Sequence, residues 1–422
     1  MAALPSFDED IREVLLRDLA VRIQLSPTSY RVAERRIQTL AEWLDREGSL
    51  LAGRGQLVYP QGSMAIHATI ASCLKRDEFD IDAIVQLDLP PTTAPEVALD
   101  WLYWAIKDKP GSRYYAMTKR NTRCVTVNYA GMHVDLTPAE LMIGREPRVS
   151  SIFHHRPEEP GSGGKRVVAN PFGFAEWFNA VTPRSASFEK AFEAQSLAMD
   201  SLLEKAIDTE DLPEQIPGYL KPPSVVALQL LKRYRNVRYE RRAGRRPPGV
   251  LLACLVASTH SGTGRLFDEL LHQARTLLGS FTQCQQRGEL IHVANPRCSV
   301  DVFSDRWPGN LPAQAVFIDD LRTLVTELEG IENGADLEMI QNAFSRLFGE
   351  ELSKSLVKEF ADRSGRSIAN GALRTRRASG RIDLVSSGIA AAVSASTSRA
   401  SSTTAPRHTF YGTSDPGVRR EE

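Results

Sequence analysis

The feature that most constrains the fold is a change of hydrophobic period along the chain. Between Gly53 and Pro138, short runs rich in β-favouring residues surround a single helical pattern at about residues 95–107. From Pro171 to about residue 360, the apolar positions recur instead at helical spacing. The predicted helices include one over residues 188–207 and one over residues 337–360 with a break near Gly349. These two patterns predict an α/β layer built on a small mixed sheet, followed by a helical lobe.

The two ends of the chain differ from this middle part. Helical patterns are predicted over about residues 8–25 and from Ser26-Pro27 onward, where a serine followed by a proline is typical of a helix start. After about Asp362 the composition changes to Ser, Ala, Thr, Arg and Gly, with too few large apolar groups to offset the entropy lost on ordering. We therefore expect three regions: an α/β lobe with the N-terminal helices at 1–170, a helical lobe at 171–362, and a disordered tail at 363–422.

The charge balance and the cysteine content limit the classes of function. Lys and Arg together number 52, as do Asp and Glu, so no global basic field is expected to hold a long nucleic acid. The five cysteines are scattered without a Cys-x-x-Cys pair, which disfavours a disulfide framework and a four-ligand zinc site. The longest apolar stretch, near residues 250–257, is too short to span a bilayer. These properties predict a soluble, cytoplasmic protein without membrane contact, which meets any nucleotide at a local site.

Three short segments of the α/β region carry the residues that indicate chemistry. A Gly-Ser pair, an Asp-x-Asp and a third Asp follow one another, each beside or within a β-favouring run. Each motif is weak alone, because Gly-Ser pairs and carboxylates two positions apart also occur by chance in a chain with 52 acidic residues. Their order and setting are specific as a set: Tyr59-Pro60-Gln61-Gly62-Ser63-Met64, then Phe79-Asp80-Ile81-Asp82-Ala83, then Met132-His133-Val134-Asp135-Leu136-Thr137-Pro138.

The spacing of the carboxylates indicates a metal site. Side chains alternate along a strand, so Asp80 and Asp82 project from the same face of the sheet. Close carboxylates repel each other unless one is protonated or a cation bridges them, and oxygen ligands favour Mg²⁺ or Mn²⁺. With Asp135 facing the same way from a neighbouring strand, three carboxylates can hold the two ions used in nucleotidyl transfer. Gly62 permits close approach of the backbone to phosphates, and Ser63 can donate to their oxygens. The simpler interpretation of the pair, a solvated strand end, is disfavoured by the flanking apolar residues.

The same residues resemble the polymerase beta-like nucleotidyltransferase superfamily, which runs from poly(A) polymerase to oligoadenylate synthase. Within it, Pro60-Gln61-Gly62-Ser63, Asp80-Ile81-Asp82 and His133-Val134-Asp135 are most similar to the bacterial enzymes akin to cyclic GMP-AMP synthase (CD-NTases) of CBASS anti-phage defence. The resemblance covers about residues 10–360. It implies a bilobal α/β fold in which the region 1–170 is the catalytic lobe and the region 171–362 closes the nucleotide cleft.

The resemblance also implies roles for individual residues. Asp80, Asp82 and Asp135 would be catalytic and bind two Mg²⁺ or Mn²⁺ ions, and the nucleotide would be bound by Gln61, Gly62, Ser63 and Lys232. Lys232 lies in Leu230-Leu231-Lys232-Arg233-Tyr234-Arg235, which is similar to the lysine-bearing helix of the family. The alternative for this lysine is a solvated basic face. Asn295-Pro296 resembles another family segment, but the carboxylates that usually follow are only loosely represented by Asp301 and Asp305.

We therefore expect an enzyme that makes a cyclic di- or trinucleotide second messenger from nucleoside triphosphates, ATP, GTP or both. Two other functions stay open: a template-independent nucleotidyltransferase that acts on an RNA end or a small molecule, and a non-catalytic nucleotide-binding scaffold. A basic RNA-binding appendage would indicate the first, and loss of the carboxylates the second; the sequence has neither feature. The resemblance further implies that the tail can serve as a handle for an operon-encoded regulatory protein.

Overall fold

Two helices begin the described part of the chain. This computed structural model describes residues 10–71, 79–142, 148–158, 161, 163–190, 192–193, 221–369, 373–375 and 382–384. Helix α1 spans Ile11–Ile23 and α2 spans Pro27–Leu44. The hydroxyl of Ser26 accepts a hydrogen bond from the backbone N–H of Ser29 at the start of α2, and a proline occupies the first turn, as the sequence predicted.

A mixed sheet of seven strands forms the α/β layer, as expected. Its two central strands, β2 and β5, are parallel to each other, and every other pairing in the sheet is antiparallel. One edge of β5 pairs with β2, while the other pairs with β4 in its first half and with β6 in its second half. The strands are β1 Gly55–Pro60, β2 Phe79–Leu87, β3 Thr118–Arg120, β4 Val125–Tyr129, β5 Met132–Leu141, β6 Ser150–His154 and β7 Lys165–Ala169.

Alternation along β2 separates a core face from a polar face. The odd-numbered residues of β2, from Phe79 to Leu87, are buried in one apolar cluster with α2 and with α4, which spans Pro95–Lys107. Asp80 and Asp82 therefore project from the opposite face of the sheet, as period two requires. A single turn of helix, α3 at Gly62–Ala65, follows β1 on the way to β2.

The second half of the described chain is mostly helical, as its sequence predicted. Gly349, with φ +110°, separates two of its helices at the predicted break. Three short hairpin strands and the seven helices follow this order: α5 Pro171–Val181, α6 Pro223–Tyr239, α7 Gly249–Thr259, α8 Leu266–Gln286, β8 Ala294–Asn295, β9 Cys298–Val302, α9 Leu311–Glu332, α10 Leu337–Phe348, α11 Glu350–Ala369 and β10 Leu373–Thr375. A last strand, β11 at Ile382–Leu384, pairs antiparallel with β10.

Helix α1 departs from the expected lobe boundary. We assigned both N-terminal helices to the region 1–170, but α1 packs against α6, α8 and α11 in the larger apolar core of the helical half. Nearly all of α1 is buried, including Glu13, whose carboxylate accepts the backbone N–H groups of Leu266 at 2.6 Å and Phe267 at 2.8 Å. A helix buried on nearly all sides has to lie inside a core, and the helices of the second half supply most of the core around α1.

Described structure also continues past the expected boundary at residue 362. Helix α11 continues to Ala369, and β10 and β11 form a two-stranded pair beyond it. The rest of the expected tail, residues 370–372, 376–381 and 385–422, lies outside the described residues, as does most of the helix predicted over 188–207. Within the described ranges, no helix combines the length and the apolar character that crossing a membrane requires.

Candidate active site

Asp82 and Asp135 lie next to each other at the centre of the sheet. They are register partners on the parallel strands β2 and β5, and Asp80 occupies the same face two positions earlier, opposite His133. Asp80 is exposed, whereas Asp82 and Asp135 are half-buried between apolar neighbours on their own strands. The structure thus places on one face of the sheet the three carboxylates that the sequence singled out.

The electrostatics of Asp82 reflect this crowding. Burial is the largest cause that raises its pKa, to about 7, and the negative charges of Asp135 and Asp80 raise it further. Arg123 and Lys232 oppose the shift through their positive charges. An ionised carboxylate that is both desolvated and next to like charges is stabilised by a cation, so this face of the sheet favours binding of one.

The carboxylates suit a magnesium or manganese ion in ligand chemistry, because these ions prefer oxygen ligands. Across the described ranges, however, no three His, Cys, Asp or Glu side chains converge closely enough to hold an ion. One oxygen of Asp135 is instead engaged by the Thr126 hydroxyl, which donates to it from the facing position on β4. Joint ligation by the three carboxylates therefore requires that their side chains turn toward a common point.

Thr126 was not recognised from the sequence. Its position opposite Asp135 follows from the pairing of β4 with β5, which no local motif indicates. The only available signal was a threonine in the β-favouring run that precedes the third aspartate.

The Gly-Ser turn lies directly against Asp82. The backbone N–H of Gln61 donates to the Asp82 carbonyl at 2.8 Å, and the Gln61 side chain donates to the Thr137 hydroxyl at 3.2 Å. Gly62 has φ +57°, and a Cβ atom there would lie 3.1 Å from Asp82 Oδ2. Both the backbone conformation and the close approach therefore favour glycine at this position.

Ser63 follows at the start of the single turn α3. Its Oγ accepts a hydrogen bond from Thr69 Oγ1 at 3.2 Å, and its carbonyl accepts one from the backbone N–H of Ala68 at 2.8 Å. The first turn of a short helix next to the carboxylates places a hydroxyl and backbone amides where the sequence predicted a phosphate-binding turn.

Lys232 is buried rather than part of a solvated basic face, so that alternative is wrong. Its Nζ donates to the Ala68 carbonyl at 2.7 Å, which joins α6 to the segment after the Gly-Ser turn. Burial lowers its pKa to about 7, and the nearby Arg235 contributes in the same direction, while Asp82 acts oppositely. The structure therefore places Lys232 behind the turn, within electrostatic reach of the carboxylates.

Two further contacts join the sheet to the helical half. The Asp301 carboxylate, which had no assigned role, accepts the Asn170 backbone N–H at 3.1 Å and the Asn295 side-chain amide at 2.9 Å. Arg306 Nη2 lies 3.1 Å from Nδ1 of the buried His154 at the end of β6. Burial lowers the pKa of His154 to about 4, with a further contribution from Arg306, so this histidine is neutral near pH 7.

The nucleotidyltransferase part of the chain matches a known family. Residues 57–138 match the model of the cyclic GMP-AMP synthase DncV-like nucleotidyltransferase domain. This range contains the Gly-Ser turn and all three carboxylates, so the match coincides with the site described above.

Similarity to individual proteins extends over most of the chain. The cyclic dinucleotide synthase CdnG of Bradyrhizobium diazoefficiens is 34% identical over 379 residues, which cover 87% of this chain and 90% of that protein. The structure of that CD-NTase in complex with GTP aligns with a TM-score of 0.73 over 83% of this chain and 99% of the other. A c-di-GMP synthase of Roseivirga ehrenbergii is 20% identical over 363 residues, which cover 85% of this chain and 90% of that protein.

Proposed function

The chain belongs to the family of bacterial cyclic GMP-AMP synthase-like nucleotidyltransferases, and on this premise we propose how its site makes a cyclic nucleotide second messenger from nucleoside triphosphates. The observation that carries the assignment is the pair Asp82 and Asp135, in register on β2 and β5, with the Gly62 backbone against it. A carboxylate pair beside a phosphate-binding turn is the arrangement that nucleotidyl transfer needs.

Asp80, Asp82 and Asp135 are the proposed ligands of two Mg²⁺ or Mn²⁺ ions. When bound, such ions neutralise charge on the triphosphate and favour the ionised form of an attacking hydroxyl. The chain itself supplies the preorganisation: strand pairing holds Asp82 beside Asp135, and the Thr126 hydroxyl orients the Asp135 carboxylate. Burial and the negative charges of Asp135 and Asp80 raise the pKa of Asp82. A bound cation offsets the repulsion between these carboxylates, which supports cation binding here.

Gln61, Gly62 and Ser63 are the proposed contacts of the donor triphosphate. The turn presents backbone amides and the Ser63 hydroxyl beside Asp82, so a bound triphosphate would place its α-phosphate near the carboxylates. Lys232 contributes positive charge from behind the turn and holds the backbone at Ala68. The hydroxyl of a second nucleotide, bound between the sheet and the helical half, then attacks the α-phosphorus of the donor in line, and pyrophosphate leaves.

GTP is the proposed substrate, and a cyclic dinucleotide that contains guanosine is the proposed product. The support is the relative at 34% identity, a cyclic dinucleotide synthase whose structure was determined in complex with GTP. A role in anti-phage signalling is consistent with this family membership. Regulation by a partner protein that engages the C-terminal tail belongs to the same proposal.

One experiment tests this function. The purified chain is incubated with four α-labelled nucleoside triphosphates, singly and together, with Mg²⁺ or Mn²⁺, and the products are treated with phosphatase and identified by mass spectrometry. We expect a phosphatase-resistant cyclic dinucleotide that requires GTP and that Asp82→Asn does not form. Extension of an added RNA end without a cyclic product would favour the alternative nucleotidyltransferase, and binding without turnover would favour a scaffold.

A further inference from the structure

Residues 66–71, here called the support segment, connect α3 to the end of the described range before β2. Helix α1 holds one end of this segment, because the backbone N–H of Ala71 donates to the carbonyl of Ile23 at 2.7 Å. A bridge between Gln24 and Ile70 adds a second backbone contact at the same place. The support segment is thus fixed to the larger core rather than exposed as a loop.

Helix α6 holds the middle of the support segment through two consecutive carbonyls. Lys232 Nζ donates to the Ala68 carbonyl at 2.7 Å, and Gln229 Nε2 donates to the Thr69 carbonyl at 2.9 Å. Gln229 and Thr69 are 0% and 4% exposed, respectively. Breaking a buried hydrogen bond of this kind leaves an unsatisfied polar group and so costs free energy. The backbone at residues 68 and 69 is therefore held in one position.

From this fixed backbone, the Thr69 side chain reaches Ser63. Thr69 Oγ1 donates to Ser63 Oγ at 3.2 Å, and the preceding backbone N–H, that of Ala68, donates to the Ser63 carbonyl at 2.8 Å. A serine hydroxyl has one proton to donate and two lone pairs to accept with. Since Thr69 occupies a lone pair, the Ser63 proton is directed away from the support segment and stays available for another acceptor.

We propose that Thr69 is a positioning residue that orients the Ser63 hydroxyl to donate to a phosphate oxygen of the donor nucleotide. This inference rests on the proposed function, since it concerns the residue that binds the triphosphate. Thr69 does not touch the nucleotide in this proposal. It acts through Ser63, on a backbone that Gln229 holds in place.

Two substitutions separate the hydroxyl of Thr69 from its methyl group. Thr69→Val keeps the branched shape and removes the donor, whereas Thr69→Ser keeps the donor and removes a buried methyl. We expect Thr69→Val to raise the KM for GTP about fivefold, the factor that corresponds to one net hydrogen bond of about 1 kcal/mol, with kcat within about twofold. For Thr69→Ser we expect KM within about twofold of wild type but a Tm lower by about 2–4 °C, because a small cavity forms.

We therefore expect Thr69→Ser to bind GTP better than Thr69→Val does but to be the less stable of the two variants. A merely structural threonine would give the same order for both, and that outcome would overturn the proposal. If Thr69→Val does not fold, Thr69→Ala replaces it: Ala and Ser both lack the methyl, and only Ser keeps the hydroxyl. A KM for Thr69→Ala equal to that of Thr69→Ser would overturn the proposal equally.

A double-mutant cycle with Ser63→Ala tests whether Thr69 acts through Ser63. In that background we expect Thr69→Val to change KM by less than about twofold, because the hydroxyl to be oriented is gone. Independent, multiplicative effects would overturn the proposal. Product formation by the wild type and its loss in Asp82→Asn test the proposed function separately: an unchanged KM for Thr69→Val in an active enzyme refutes only the role of Thr69, whereas an inactive wild type refutes both.

Discussion

Asp82 and Asp135 are register partners on adjacent parallel strands, β2 and β5, and each side chain is only half-buried. Parallel pairing at the centre of the sheet holds the two backbones at a fixed separation, so the two carboxylates stay neighbours on one face of the sheet. The repulsion between them contributes to the raised pKa of Asp82. This relationship motivates the first two predictions.

Replacing Asp80 and Asp82 together by Asn should abolish product formation while the fold is retained. Direct metal ligands contribute several kcal/mol to transition-state stabilisation, so activity should fall below roughly one hundredth of wild type. Product assays and circular dichroism measure the two effects. The exposed Asp88, just after β2, provides a matched control as Asp88→Asn. A double variant that keeps more than about one hundredth of the activity would contradict the assigned ligands.

Asp82→Asn alone should stabilise the metal-free protein at neutral and higher pH. The pKa of Asp82 is raised to about 7 in the folded state, against about 3.9 in an unfolded chain. The folded protein therefore binds this proton more tightly, and the associated stability, present below about pH 4, is lost as the pH rises toward 7.

We accordingly expect the Tm of Asp82→Asn in EDTA to exceed that of wild type by several degrees near pH 8, with the difference shrinking as the pH falls toward about 4.5. Thermal melts at a series of pH values measure it, with Asp88→Asn as the reference. A gain of equal size at every pH would mean that repulsion at Asp82 is not its origin.

Lys232→Met should weaken nucleotide binding. The substitution removes a positive charge near the triphosphate and leaves the Ala68 carbonyl without its buried donor. Loss of this charge, and of the hydrogen bond that holds the backbone behind the turn, should raise the KM for nucleotide about tenfold, which corresponds to about 1.4 kcal/mol. Steady-state kinetics measure the change, and Lys358→Met, at an exposed position of α11, is the control. If Lys232→Met has the kinetics of wild type, this lysine has no part in nucleotide binding.

A chain that ends at residue 384 should keep full activity. The deleted residues 385–422 are rich in Ser, Thr, Ala and Arg and have few large apolar side chains with which to join a core. We expect kcat and KM within about twofold of the full-length values. Circular dichroism and product assays decide the point. A truncated protein that is folded but inactive would show that the tail contributes to the active site.

Local pattern alone was sufficient to predict several features. Alternation along β2 put Asp80 and Asp82 on one face, and the same alternation buried their neighbours against α2 and α4. The helix start at Ser26-Pro27 and the break at Gly349 also followed from short-range chemistry, since caps and left-handed backbone depend on neighbouring residues only. The order of the three motifs, read with the family resemblance, predicted the class of enzyme.

Contacts between distant segments were decided by the tertiary structure. Helix α1 buries charged residues together with its apolar ones, so its pattern predicted a helix but could not indicate which core surrounds it. The amphipathic pattern around Lys232 was compatible with a solvated face, and only the packing of α6 against the support segment buried its ammonium group beside Ala68. Pairing of β4 with β5 places the Thr126 hydroxyl against Asp135. Thr69 contacts Ser63 because α1 and α6 hold the support segment in place. Sequence periodicity determines which side of an element is apolar, whereas the partner of each polar group depends on how the elements are placed in three dimensions.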